Sequence, residues 1–74
     1  MKVELSDPTL ADDLAAFLRR AACEAKANGG GRVEVSMPAS LPEDAARLEL
    51  DAYLQTWQAL HPGVRARRRA AYDL

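Results

Sequence analysis

The sequence predicts an α+β fold of the ferredoxin-like class, a two-layer sandwich in which two helices cover one face of a four-stranded antiparallel sheet. Segments with strand and helix periodicity follow one another in the order βαββαβ. A glycine run separates the second and third strand segments, as a hairpin requires. The most apolar strand segments are the first and third, which are the central strands of such a sheet, whereas the edge segments are polar or charged.

The first strand and the first helix have clear local signals. Met1, Val3 and Leu5 alternate with charged residues, which gives the strand one buried and one exposed face. Asp7 is expected to be the N-cap of the helix, and Pro8 its first residue, where a missing N–H group costs no hydrogen bond. The apolar residues of this helix recur at helical spacing and are Leu10, Leu14, Phe17, Leu18 and Ala21.

A hairpin follows the first helix. The second strand alternates small apolar residues with charged ones and contains Cys23, Ala25 and Ala27. Residues 28–31, Asn-Gly-Gly-Gly, predict a tight turn, and the clearest strand of the chain comes directly after it. We expect Ala27 to pair with Val33, which places Lys26 opposite Glu34 on the outer face.

The second helix is predicted by a capping signal and by one apolar stripe. Ser40 and Glu43 have the spacing of an S-x-x-E capping box. The stripe that should cover the sheet contains Ala46, Leu50, Tyr53, Leu54, Trp57 and Leu60. His61-Pro62-Gly63 ends the helix, and residues 64–67 alternate as a short last strand. We therefore expect one domain over residues 1–64 and a basic, frayed tail over residues 65–74.

Composition restricts the class of protein. The 74 residues suffice for one domain with a thin core, because 15 of them are alanine and only 5% are aromatic. Cys23 is the single cysteine, which excludes an internal disulfide and fits a reducing cytoplasm. The chain shows no signal peptide and no apolar run of membrane-spanning length. Eight arginines against two lysines suggest a GC-rich bacterial genome. We expect a small cytoplasmic bacterial protein.

The motifs of common enzyme classes are absent from the sequence. There is no nucleophile elbow, no HExxH, no phosphate loop and no dinucleotide fingerprint. His61 is the only histidine, so the sequence offers no metal-ligand set. We therefore expect a protein that is not an enzyme and that has no cofactor and no bound metal.

A second apolar strip favours association with a protein. Leu48 lies on the side of the second helix away from the main stripe, close to Ala45 and Ala52. Small residues let a partner helix approach closely, and a domain with a thin core gains from added buried area. We expect an interaction domain that forms a homodimer or serves as an adaptor, with the charged sheet face as the second candidate surface.

An arginine cluster supports an alternative function. Residues 64–74 carry a net charge of +3 and residues 1–63 a net charge of −4. The positive charge comes from Arg65, Arg67, Arg68 and Arg69. Four arginines can neutralise phosphates without reading sequence, so an accessory protein that binds nucleic acid is the alternative. The predicted open sheet face carries no aromatic side chain for base stacking.

A short segment allows a third possibility. Residues 7–10, Asp-Pro-Thr-Leu, follow a strand and open a helix. This arrangement resembles the first loop of ACT-type amino-acid-sensing domains, which carry glycine where Thr9 stands. The resemblance covers about ten residues and implies that a small ligand would bind near Ser6 to Thr9.

Overall fold

A computed structural model describes residues 1–69 and contains the predicted elements in the predicted order. They are β1 (Lys2–Leu5), a 3-10 turn (Pro8–Leu10), α1 (Ala11–Arg20), β2 (Glu24–Gly29), β3 (Arg32–Ser36), α2 (Glu43–Leu60) and β4 (Ala66–Arg69). The strands form one antiparallel sheet in the order β2-β3-β1-β4. This α+β arrangement confirms the fold class, with β1 and β3 in the centre.

The strand register follows from which residues are apolar. Ala27 pairs with Val33 and Lys26 with Glu34, as predicted. Val3 pairs with Val33 in the centre of the sheet, and both are buried under the helices. A slip of one residue would turn the buried valines to solvent, so burial on one face selects this register. The opposite face of the sheet is charged and exposed.

The helices bury the stripes that their sequences predict, with one exception. Leu14 and Leu18 of α1 lie in the core, as do Leu50 and Trp57 of α2, whereas Tyr53 is half-buried. The helical period predicts Leu60 in the stripe, but Leu60 is 65% exposed, so that prediction is wrong. Leu60 is the last residue of α2, and the ring of the following residue, His61, stacks on Trp57 with centroids 4.1 Å apart. His61 therefore takes the place beside Trp57.

The two helix starts differ in how well the sequence predicts them. Asp7 is the N-cap of the 3-10 turn that leads into α1, and its Oδ1 accepts from the backbone N (3.0 Å) and Oγ1 (2.6 Å) of Thr9. These hydrogen bonds lower the pKa of the Asp7 carboxyl. The capping box at Ser40 is not formed, because Pro42 is the N-cap of α2 and no side chain caps it. Ser40 lies two residues too early, in a turn where the Leu41 N–H donates to the Pro38 carbonyl.

The last strand begins later than predicted and includes part of the expected tail. Residues 66–69 pair with β1, and Ala66 is buried. The frayed tail expected from residue 65 is therefore wrong for these residues, because they pair with the central strand and Ala66 is buried. Residues 70–74 of that range lie outside the described residues.

The protein should become more stable when Ala22 is replaced by glycine. It has φ 71° at the end of α1, where the Ala22 N–H donates to the Arg19 carbonyl and the Cys23 N–H to the Leu18 carbonyl. This is a Schellman ending, whose left-handed residue is usually glycine. Ala22→Gly should raise the free energy of unfolding by about 0.5–1 kcal/mol, because the relief of left-handed strain exceeds the added chain entropy. Urea denaturation checks this, and a loss of stability would contradict it.

Gly31 should tolerate substitution less well than Gly30. Both have positive φ, 77° and 61°, but a Cβ on Gly31 would lie 2.9 Å from the Leu5 carbonyl oxygen, whereas one on Gly30 would have nothing within 4 Å. Gly30→Ala should cost about 1–2 kcal/mol of stability through backbone strain alone. Gly31→Ala should cost about 3 kcal/mol, because the β1 backbone must also move. Equal losses in urea denaturation would contradict the close approach.

Candidate protein interface

The outer face of α2 carries the most exposed large apolar side chain described. Leu48 is 72% exposed and points away from Leu50 and Trp57, which are buried under the same helix. Ala52 is exposed beside it, and Ala45 is half-buried. We call Ala45, Leu48 and Ala52 the α2 strip. The structure brings these three predicted residues together on one exposed helix face.

The charged residues that flank the α2 strip interact with neighbours along the helix. Arg47 Nη2 lies 2.7 Å from Glu43 Oε1, and Arg47 Nη1 lies 3.4 Å from Asp44 Oδ1. The Tyr53 hydroxyl donates to Glu49 Oε1 at 3.1 Å, and this hydrogen bond raises the pKa of the Tyr53 phenol. The strip itself is uncharged, so its desolvation by a partner costs little.

Side chains from the helices occupy both edges of the sheet. At the β4 edge, Gln58 Oε1 accepts from the Ala66 N–H at 3.1 Å, while Gln58 Nε2 donates to the Leu54 carbonyl at 3.0 Å. At the β2 edge, Arg19 Nε donates to the Ala25 carbonyl at 2.8 Å. Exposed edges accept foreign strands, so these contacts make edge pairing less favourable. No periodicity in the sequence predicts either contact.

The predicted arginine cluster does not form one surface. The alternation of β4 places Arg67 and Arg69 on the open face of the sheet and Arg68 on the helix face. Arg68 makes a bidentate ion pair with Asp51 (3.0 and 3.2 Å), and Arg69 Nε lies 2.9 Å from Glu4 Oε1. Arg65 lies just before the strand, and its carbonyl accepts from the Ser6 N–H. Two of the four charges are therefore neutralised by ion pairs.

A shallow groove of about 330 Å³ lies between α2 and β4. Leu54 and Ala66 form part of its lining, together with Gln58 and the Asp51–Arg68 ion pair. The groove is open to solvent, and its Gln58, Asp51 and Arg68 side chains already bond other groups of the protein. Gln55 and Arg67, which also line the groove, are exposed.

The single histidine belongs to a cluster at the end of α2. Asp13 Oδ2 accepts from Trp57 Nε1 at 2.9 Å and lies 3.2 Å from His61 Nε2. His61 Nδ1 lies 2.9 Å from the Trp57 carbonyl oxygen. Each ring nitrogen thus lies within hydrogen-bonding distance of a protein oxygen. The cluster joins α1 to α2.

The loop predicted as a small-ligand site is also engaged within the fold. The loop at Ser6–Thr9 uses its polar groups internally: Asp7 accepts from Thr9, and Ser6 Oγ accepts from the Arg65 N–H at 2.9 Å. Residues 1–69 contain no group of three or more His, Cys, Asp or Glu side chains that could hold a metal ion. No helix in the same range is long and apolar enough to cross a membrane.

No protein-family model, curated protein or solved structure matches this chain. The geometry of the described residues is therefore the basis for a proposal about function.

Cys23 should react slowly with alkylating agents. The thiol is buried, its Sγ lies 3.5 Å from Met37 Sδ, and burial, with the nearby charge of Glu49, raises its pKa. Since the thiolate is the nucleophile, alkylation by iodoacetamide at about pH 8 should be roughly tenfold slower, or slower still, in the folded protein than in concentrated urea. Mass spectrometry over time measures both rates, and equal rates would contradict the burial.

Proposed function

We propose that this protein is a small, non-enzymatic interaction domain that binds a protein through the α2 strip. The observation that carries the proposal is the 72% exposure of Leu48 in the middle of an uncharged helix face. Covering a leucine side chain gives about 1.5–3 kcal/mol, which is the size of an interface hot-spot contribution. The alanines on either side let a partner helix approach the backbone of α2.

The chain has a physical reason to bind through a helix face. Its core contains many small residues, so additional buried apolar area would stabilise the fold noticeably. The sheet edges are occupied by Gln58 and Arg19, and the open sheet face would require desolvation of many charges. The α2 strip lacks both obstacles. The partner is either a second copy or another protein, and the experiment below separates them.

The nucleic-acid alternative has weaker support. Arg68 and Arg69 are in ion pairs, so fewer positive charges are available for phosphates than the sequence predicts. Affinity for phosphates rises with the number of contacts that release counterions. Arg65 and Arg67 are exposed and would carry such binding.

Leu48→Glu should abolish partner binding and leave the fold intact. A charge in the centre of a desolvated interface costs more than the lost apolar contact, so a loss of about tenfold or more in affinity is expected. Leu60→Glu is the matched control, because Leu60 is similarly exposed, at 65%, but lies outside the α2 strip. Circular dichroism checks that both variants fold.

The readouts are light scattering at two protein concentrations and affinity capture with the wild type and both variants. If the wild type is a dimer and Leu48→Glu dissociates it while Leu60→Glu does not, the partner is a second copy. If the wild type is a monomer that captures another protein, and only Leu48→Glu loses that protein, the domain is an adaptor. If Leu48→Glu and Leu60→Glu behave like the wild type in both assays, the α2 strip is not the interface.

A further inference from the structure

Strand β2 lies at an edge of the sheet. Val35 of β3 directs its N–H to β1, where the Met1 carbonyl accepts it at 2.7 Å. Ala25 pairs with Val35, so in an antiparallel ladder the backbone groups of Ala25 face away from β3, toward the outer edge. The same holds for Ala27, which pairs with Val33. The β2 edge therefore presents backbone groups that another strand could bond.

Arg19 occupies the middle of this edge. It lies in the last turn of α1, and its Nε donates to the Ala25 carbonyl at 2.8 Å. A strand that added to β2 would need that carbonyl as an acceptor, so Arg19 and an incoming strand compete for it. A charged side chain across a sheet edge is a common protection against such pairing. Arg19 is exposed, so its displacement costs little packing.

The charges of β2 match a second copy of the same strand. In an antiparallel pair centred on Ala25, each Ala25 bonds the Ala25 of the other copy through both backbone groups. The same register places Glu24 of each copy opposite Lys26 of the other, which gives two favourable cross-strand pairs on the open face. A pair centred one residue later places Lys26 opposite Lys26, which is unfavourable. Charge therefore favours the register centred on Ala25 over the one centred on Lys26.

The other edge of the sheet lacks this complementarity. The exposed face of β4 carries Arg67 and Arg69, so two copies of β4 would bring arginines together. Like charges directly opposite each other destabilise a strand pair. Of the two edges, β2 is the one that fits a second copy.

We propose that β2 is a docking edge for a second copy of this chain and that Arg19 keeps it closed. Displacement of Arg19 opens the edge, and two four-stranded sheets then join through antiparallel β2 strands. This edge is separate from the α2 strip, so the proposal does not depend on the proposed function.

Removing the Arg19 donor tests the closed edge. Arg19→Met keeps side-chain length and helix propensity but cannot donate a hydrogen bond to Ala25. It should double the mass seen by light scattering relative to the wild type at the same concentration. Arg20→Met is the matched control, because Arg20 is the exposed neighbour in the same turn of α1, and it should leave the mass unchanged. An unchanged mass for Arg19→Met, or an equal increase for Arg20→Met, overturns the proposal.

Charge exchange tests the docking register. In the Arg19→Met background, Glu24→Lys places the introduced lysine opposite Lys26 of the other copy. These like charges repel, so the double variant should return to the wild-type mass. Adding Lys26→Glu reverses both charges, restores the two cross-strand pairs and should restore the doubled mass. The three exposed positions lie outside the core, and circular dichroism confirms folding in each variant. If Glu24→Lys leaves the doubled mass unchanged, or if Lys26→Glu fails to restore it, the antiparallel β2 pairing is wrong.

Discussion

The burial of Trp57 holds the two layers of this small structure together. An alanine-rich chain has few large side chains for its core, and Trp57 is the largest that is fully buried. It belongs to the hydrophobic core cluster that also contains Leu50 of α2 and Val3 and Val33 of the central strands. Its indole N–H donates to Asp13 of α1 and its ring stacks on His61, which fixes the end of α2 and the position of α1. The helices can then extend Arg19 and Gln58 to the two edges of the sheet.

The distribution of polar contacts leaves a limited choice of surfaces for binding. Helix side chains close the two sheet edges, and the sheet face opposite the helices is covered by charges of both signs. The histidine and two of the four clustered arginines are engaged with neighbouring residues. The outer face of α2 remains as an uncharged exposed surface. Leu48 on that surface contributes nothing to the core, so its exposure costs free energy that a partner can recover.

Much of the fold could be predicted because its signals are local. The alternation in β1 and β3, the glycine turn and the Asp7 cap each depend on residues a few positions apart, and all are present in the structure. The failures also have local causes. The Ser40 signal has the right spacing but lies outside the helix, because Pro42 sets its start. Leu60 follows the helical period of the buried stripe, yet it falls at the helix end, where His61 is the residue that stacks on Trp57. The exposed position of Leu48 could be predicted from the helical period, whereas the engagement of Arg68 by Asp51 could not.

Local sequence patterns determined the order of the elements, the β2–β3 register and the outward position of Leu48, because each follows from apolar periodicity within one or two neighbouring elements. The tertiary packing decided that residues 66–69 complete the sheet, that Asp13 receives the indole of Trp57 and that the arginines of β4 are divided between two faces. These contacts join residues far apart in the chain, such as Asp13 and Trp57, which are 44 positions apart. Their formation depends on the packing of whole elements, and no local pattern encodes the distance between two such side chains. The contacts of Arg19 and Gln58 with the sheet edges also depend on tertiary packing, since each requires its helix to lie at a particular distance from the sheet.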